Sequence, residues 1–269
     1  MKPDLNCDLG EGEPKEKTRA LMRQISSANI ACGVHAGNGK TMRVAVELAL
    51  EFDVHIGAHP GLPENFGRAT TNLTSQEFGD LLIRQIEQLE QIIRHARGDL
   101  HHIKLHGALY HMTEENEELR KKYIRTVQQR WPRAIIYSRA NGPVQRDAGA
   151  AGLEVWPEGF LDRGYRDDGS LVPRTDSNAL LSRQQLFARL GSLLIDRTVE
   201  TAAGHALALP AKTWCIHSDS PDSLTNSEMA KVIFSAFDLT LPEKRALLSE
   251  LTERYEINAN SAKIRASLG

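Results

Sequence analysis

The chain has 269 residues, 41% of them hydrophobic, which is enough to bury the core of one large α/β domain or of two small ones. Its formal net charge is -2 and charges of both signs are interspersed, so no basic stripe for nucleic acid and no acidic tail is present. No apolar run approaches the roughly 20 residues of a membrane span, and the N-terminus lacks the apolar core of a signal peptide. We therefore expect a cytoplasmic protein that binds neither nucleic acid nor membrane, and the sequence leaves a homo-oligomer open.

The first predicted strand, Pro3–Leu9, has two chemically different faces. Its odd positions are apolar, whereas Asp4, Asn6 and Asp8 share the other face with a period of two. A polar face is unusual for a buried strand unless it points into a barrel or a cleft. The alternation therefore predicts polar side chains inside the fold, with Asp8 near the opening of the barrel or cleft.

Four later strands share one pattern, in which an apolar run ends and a histidine follows. The clearest example is Ser27–Gly37, where Gly33 lets the backbone turn before the histidine. The four histidines are His35, His59, His106 and His217. Because the pattern recurs, we expect these side chains to meet at a common mouth.

The remaining chain alternates predicted helices with strands. Glu11–Lys17 is predicted as a charged loop, Leu153–Trp156 as the sixth strand, and a loop is expected after His106, through Tyr110 and Met112. Capping-box sequences start helices at Thr74–Glu77 and Ser182–Gln185, and Phe160–Arg174 is a long charged loop. Gly37–Thr41 looks like a phosphate-binding loop, but Val34 stands where the first glycine of that motif is required. The cysteines Cys7, Cys32 and Cys215 lack CxxC spacing and lie in apolar runs, which predicts buried free thiols.

Strands separated by helices at intervals of 25–35 residues predict parallel βα units. Seven strands form either an open doubly wound sheet or an irregular seven-stranded (β/α) barrel. Polar residues follow nearly every strand, as they do in barrels, whereas an open sheet would concentrate them at one switch point. The barrel is favoured. We expect a single barrel domain over residues 1–238 and a C-terminal helical appendage over 239–269.

The side chains expected at the mouth are of the types used as metal ligands and as general acids and bases. The strand-end set is Asn6, Asp8, His35, His59, His106, His217 and Asp219. Lys104 shares a pleat face with His106, and a lysine aimed into a core is costly unless it is paired or used. From the loops, Arg68, Asp162, Arg163, Tyr165 and Arg174 are expected to contact an anionic substrate or to stabilise a developing oxyanion.

Several ordered motifs identify a resemblance to a known family. They are DLNCDLGE (4–11), SANIACGVHAG (27–37), IGAHPG (56–61), FGR (66–68), KLHGALY (104–110), D-R-x-Y (162–165), GSLVPR (169–174) and C-I-H-x-D (215–219). In order and spacing they resemble the LamB/YcsF family, the lactam-utilisation proteins, over residues 3–238. Asn38, Leu105 and Ser218 differ from the residues usual in that family.

The resemblance implies an irregular barrel fold related to that of sugar deacetylases. It also implies that the chain is one component of an ATP-dependent 5-oxoprolinase, which opens 5-oxoproline to L-glutamate. It further implies that the chain assembles with partner subunits B and C and that the resulting complex uses ATP as its cofactor. Motif matching places site roles on Asp8, His35, His59, Lys104, His106, Asp162, Arg174 and His217.

Together with the strand-end pattern, the resemblance leads us to expect four catalytic residues: Asp8, His59, Lys104 and His106. The substrate-binding residues expected are Asn6, His35, Arg68, Asp162, Tyr165, Arg174, His217 and Asp219. Two alternatives stay open. One is a metal-dependent amidohydrolase or deacetylase acting alone, with Asp8, His35 and His59 as candidate ligands of a divalent ion. The other is a non-catalytic subunit that binds a small molecule.

Overall fold

A computed structural model describes residues 2–68, 72–220 and 222–258 of the chain. The strands of the described part are β1 (Asp4–Leu9), β2 (Ser27–Ala31), β3 (His55–His59), β4 (His102–Lys104), β5 (Ile135–Arg139), β6 (Val155–Phe160), β7 (Thr198–Glu200), β8 (Ala206–Ala208) and β9 (Thr213–His217). Its α-helices are α1 (Lys15–Met22), α2 (Gly39–Glu51), α3 (Ser75–His95), α4 (Gly107–Glu115), α5 (Glu117–Arg130), α6 (Pro143–Ala150), α7 (Arg183–Ile195), α8 (Ser223–Ser235) and α9 (Leu241–Arg254).

Seven parallel strands close into a barrel in the order β1-β2-β3-β4-β5-β6-β9. Closure comes from β9, which pairs with β1 on one side and with β6 on the other. Asp8 stands opposite His217 in the β1–β9 register, so the carboxyl ends of first and last strands meet. The barrel is therefore confirmed and the open sheet is excluded.

The barrel wall separates an apolar outer layer from a polar interior. Leu5, Cys7 and Leu9 of β1 are buried toward the surrounding helices, while Asn6 and Asp8 are buried on the opposite face. This confirms the two-faced first strand. Cys7, Cys32 and Cys215 are buried free thiols, as expected.

The helix starts agree with the capping signals. Thr74 and Glu77 form a capping box at the start of α3, and Ser182 and Gln185 form another at α7. In such a box each side chain satisfies a backbone N–H that the helix leaves unpaired.

Four elements differ from the sequence-based expectation. Residues 107–115, expected as a loop, form α4, and β6 extends to Phe160. An antiparallel pair, β7 with β8, follows α7 outside the barrel. Its two strands have three residues each, which is too short for a periodic pattern to predict.

The described part of the C-terminal segment is α9 and the residues up to Asn258. Leu248 and Leu251 of this helix are buried, and so are Tyr255 and Ile257 beyond it, so the segment packs on the barrel domain. Residues 259–269 of the predicted appendage lie outside the described residues. No helix in the described ranges is long and apolar enough to cross a membrane.

Candidate functional site

The polar interior of the barrel is a connected hydrogen-bond network around β1. Nδ2 of Asn29 donates to Oδ1 of Asn6 and to Oδ1 of Asp8, both at 2.7 Å. Nδ2 of Asn6 donates to Oε1 of Glu158 and to Oγ1 of Thr213. Buried polar atoms are costly unless paired, so this network orients the groups above it.

Lys104 lies at the centre of this network, among carboxylates. Its Nζ lies 2.8 Å from Oδ1 of Asp8, 3.0 Å from Oε1 of Glu158 and 3.0 Å from Sγ of Cys215. Burial favours the neutral amine, but the carboxylates of Asp8 and Glu158 outweigh it and raise the pKa of Lys104 well above its usual value. The lysine is therefore a buried ammonium whose charge is shared by two carboxylates.

Asp8 is ionised for the complementary reason. Burial opposes the charge, but His59 and Lys104 outweigh it and hold the pKa of the Asp8 carboxyl well below its usual range. One oxygen of Asp8 accepts from Lys104 and Asn29, while the other lies 3.3 Å from Nε2 of His59. Asp8 thus joins the interior network to the histidines at the mouth.

A chain of side chains runs from the opposite end of the barrel to Asp8. Nε2 of His102 donates to Oδ1 of Asn29 at 2.7 Å, and Nδ1 of His102 lies 3.1 Å from Nδ1 of His101. Burial lowers the pKa of His102 well below its usual value, so its ring is neutral. A Cβ on Gly57 would lie 2.0 Å from the His102 ring, so only glycine fits there.

Four side chains converge above Asp8 at the mouth. Oε1 of Glu11 lies 3.0 Å from Nε2 of His35, 3.0 Å from Nδ1 of His106 and 3.6 Å from Nε2 of His59. Nδ1 of His106 also lies 2.9 Å from Nε2 of His59. We call these four residues, Glu11, His35, His59 and His106, the histidine–glutamate cluster.

The protonation of the cluster follows from its neighbours. Nδ1 of His59 donates to the backbone oxygen of Lys104 at 2.8 Å, which turns Nε2 toward the cluster. Burial disfavours the His59 cation, but Asp8 outweighs it and raises the pKa of His59. Burial lowers the pKa of His35 to about 4, so His35 is neutral at pH 7. Burial opposes the charge of Glu11, and the hydrogen bonds from His106 and His35 outweigh it and lower its pKa.

The donor set and spacing of this cluster fit a divalent cation. Imidazole nitrogens and carboxylate oxygens bind zinc at roughly 2.0–2.2 Å, which places the ligands of a tetrahedral ion about 3.3 Å apart. The four donor atoms all lie within 4.8 Å of one another. The Lys104 carbonyl fixes the His59 tautomer as such carbonyls do for metal-binding histidines. Of the three ligands expected from sequence, His35 and His59 belong to this group, whereas Asp8 groups with Cys215 and His217.

On the other side of the mouth, His217 is held by Asp162. Nδ1 of His217 lies 3.0 Å from Oδ1 of Asp162, and the backbone N–H of His217 donates to Oδ2 at 2.9 Å. Burial opposes the charge of Asp162, but His217 outweighs it and lowers the pKa of the carboxyl. A carboxylate on Nδ1 leaves Nε2 free to exchange a proton, which is how a general acid or base is oriented.

The loop residues expected to contact substrate separate into two groups. Arg68 and Arg174 both reach Asp219 at the mouth. Tyr165, in contrast, is buried beneath the loop, where its hydroxyl accepts a hydrogen bond from the backbone N–H of Phe160. We assign Tyr165 to holding the loop in place.

Two adjoining cavities open at the mouth. The larger, about 410 Å³, reaches Asp8, Lys104 and His59 at its floor and His217 at its side. The smaller, about 350 Å³, is bordered by Glu11 and His35. Arg68 and His106 line both. The larger volume lies in the usual range for small-molecule sites, about 300–1,000 Å³.

Several polar residues of the site escaped the sequence-based expectation. Glu11 belonged to a predicted charged loop, Glu158 follows the predicted end of its strand, and Asn29 lies inside an apolar run. The period of two places Asn29 on the face opposite Ile30, so this signal was present in the sequence. His111, not expected at the site, also lines the larger cavity.

Comparison with known proteins gives concordant matches. A sequence model described as LamB/YcsF family matches residues 3–245. A Bordetella pertussis protein, named as the A subunit of 5-oxoprolinase, is 38% identical over 227 residues, which are 82% of this chain and 90% of that protein. A Brevibacillus brevis protein of the same name is 34% identical over 253 residues, 90% of this chain and 98% of that one. The crystal structure of a lactam utilization protein from Thermus thermophilus matches with a TM-score of 0.80 at 30% identity, over 87% of this chain and 96% of that one.

Proposed function

The chain belongs to the LamB/YcsF family, and we propose that it is the A subunit of a 5-oxoprolinase, which opens the lactam ring of 5-oxoproline to give L-glutamate. The main support for this proposal is the set of residues that line the larger cavity. Its floor is the Asp8–Lys104 pair, its wall carries His217 backed by Asp162, and its mouth carries two arginines. A small anionic ring that needs both charge stabilisation and proton transfer matches this arrangement.

The proposed reaction is coupled to ATP because a five-membered lactam is a stabilised amide. Transfer of a phosphoryl group from ATP to the amide oxygen would release ADP and make the ring carbon electrophilic. Water would then add to that carbon, and the C–N bond would break as the nitrogen takes up a proton, which leaves an acyl phosphate. A second water would hydrolyse the acyl phosphate and release inorganic phosphate and L-glutamate. We assign the ATP step to the partner subunits B and C. The N-terminus of α2, the end that a phosphate loop would offer, is capped by the Asn38 side chain instead.

The residues of this chain would divide the hydrolytic step between them. His217 would take a proton from water or give one to the leaving nitrogen through Nε2, because Asp162 holds Nδ1. The Lys104 ammonium would stabilise negative charge on the lactam oxygen from the cavity floor. Asp8 keeps that ammonium charged and in place.

Release of glutamate from 5-oxoproline tests the proposal. We expect release only when this chain, subunits B and C and ATP are combined. Release by this chain alone without ATP would contradict its place in a complex and support an independent amidohydrolase. Tight binding of 5-oxoproline without release under any condition would support a non-catalytic binding role.

A second candidate function, metal-dependent amide hydrolysis, is favoured by the histidine–glutamate cluster. A bound divalent cation would polarise the lactam carbonyl. The residues of this chain that would hold it are Glu11, His35, His59 and His106.

Cation binding can be measured without any activity. After treatment with a chelator, the protein is titrated with Co²⁺ and followed by visible absorption and by elemental analysis. We expect one equivalent in the wild type, and loss of it in Glu11→Gln and His35→Asn. His205→Gln, a histidine outside the cluster, is the control and should keep full stoichiometry. Equal Co²⁺ binding in all four proteins would remove the cluster as a metal site.

A further inference from the structure

Three loops at the carboxyl end of the barrel meet through one carboxylate oxygen. Arg68 comes after β3, Arg174 lies between β6 and α7, and Asp219 follows β9. Nη2 of Arg68 lies 3.2 Å from Oδ2 of Asp219, and Nη1 of Arg174 lies 3.5 Å from the same oxygen. Both arginines also line the larger cavity.

The charges of this contact do not balance. Among the described side chains, two guanidinium groups share one carboxylate, so one positive charge of this contact has no carboxylate of its own. The other lysine and arginine side chains of the cavity lining, Lys104 and Arg163, have described partners of their own. Lys104 is paired with Asp8 and Glu158, and Arg163 donates to the backbone oxygens of Ala179 and Val172. Arg68 and Arg174 are therefore the two cationic side chains of this lining that share a single described partner, Asp219.

The contact is also easily exchanged. The side chains of Asp219, Arg68 and Arg174 are 51%, 38% and 31% exposed. Ion pairs that water reaches contribute little to stability, so a competing anion can replace Asp219 at low cost. The Lys104–Asp8 pair differs in this respect, because its side chains are only 2% and 6% exposed.

We propose that Arg68 and Arg174 form a carboxylate subsite, in which Asp219 stands in for the carboxylate of the substrate when no substrate is bound. This inference rests on the proposed function and assigns recognition of the ring carboxylate of 5-oxoproline to these two arginines. Guanidinium groups recognise carboxylates through paired N–H donors. A carboxylate held at the mouth directs the attached ring inward, toward His217 and Lys104.

Binding of two lactams to the 269-residue chain, measured by calorimetry, tests this subsite. The first is 5-oxoproline, and the second is 2-pyrrolidinone, the same ring without a carboxylate. Asp219→Asn removes the competing carboxylate, so it should tighten 5-oxoproline binding by about threefold to tenfold. Arg174→Gln removes a charged hydrogen bond and should weaken it by about 10- to 100-fold. Neither variant should change 2-pyrrolidinone binding.

Arg166→Gln is the matched control, because Arg166 lies in the same loop, loses the same charge and does not line the cavity. It should bind 5-oxoproline like the wild type. Weaker or unchanged 5-oxoproline binding in Asp219→Asn would overturn the stand-in role. Equal wild-type affinity for the two lactams would overturn the subsite while leaving a lactam substrate in place. No binding of either lactam would overturn both the subsite and the proposed substrate.

Discussion

Nζ of Lys104 lies 2.8 Å from Oδ1 of Asp8 inside the barrel, where water reaches almost none of either side chain. Breaking a buried ion pair by removing one partner leaves an uncompensated charge, which costs about 3–5 kcal/mol. Lys104→Met should lower the free energy of unfolding by about that amount, because Glu158 also loses its cation. Urea unfolding measures the loss.

The double variant Lys104→Met/Asp8→Asn separates charge from packing. We expect its loss in free energy of unfolding to be smaller than the sum of the losses in the two single variants, because each substitution removes the charge that the other leaves unpaired. Strictly additive losses would show that the two side chains do not depend on each other.

Asp162 controls the proton transfer assigned to His217. Asp162→Asn leaves one accepting oxygen for the two N–H groups of His217 and removes the negative charge beside its ring, so kcat for glutamate release should fall by roughly 100-fold or more. KM should change little. The surface pair of Asp167 and His205 provides the control, and Asp167→Asn should keep the wild-type rate. Equal rates in both variants would remove His217 from the chemistry.

Gly57 makes room for His102 in the barrel interior. In Gly57→Ala the new Cβ would overlap the His102 ring, so the ring must leave Asn29 and the network below Asp8 is disturbed. We expect a loss of about 1–3 kcal/mol in the free energy of unfolding. Gly149→Ala in α6 meets no atom within 4 Å and should instead be neutral or stabilising. Adding His102→Ala to Gly57→Ala should recover part of the lost free energy of unfolding. If the double variant is no more stable than Gly57→Ala, the steric explanation is contradicted.

Histidines kept neutral by burial make the fold sensitive to acid. The pKa of His101 is lowered to about 4 in the folded protein, mainly by burial, from an ordinary value near 6.5. Between these values the unfolded chain binds more protons, so the free energy of unfolding falls as pH falls from about 6.5 to 4. His101→Gln should lose stability less steeply over this window than the wild type does. The exposed His95→Gln is the control and should follow the wild type; identical slopes for all three proteins would contradict this role of His101.

Much of the site was predictable because strand periodicity acts locally. The alternation in Asp4–Leu9 places Asn6 and Asp8 inside, and parallel strands bring the histidines at their carboxyl ends to one rim. Both consequences need only the pleat and the direction of the strands. The structure places His35, His59, His106 and His217 at this rim accordingly.

The residues that were missed depend on contacts between distant parts of the chain. Glu11 turns into the mouth after Gly10, which has a φ of 78°, and Glu13 accepts the backbone N–H groups of both residues. No periodicity describes such a turn. Charge alone was also a poor guide in the long loop, where Arg163 binds backbone oxygens and holds the loop together.

The most direct measurement compares wild-type and Asp8→Asn chains in the same mixture of subunits B and C, ATP and 5-oxoproline. Asp8→Asn keeps the size and hydrogen-bonding oxygen of the side chain but removes the charge that holds the Lys104 ammonium and faces His59. We expect the wild type to release glutamate and Asp8→Asn to release less than about 1% as much. Undiminished release by the folded Asp8→Asn protein would show that the lactam is opened somewhere other than this barrel mouth.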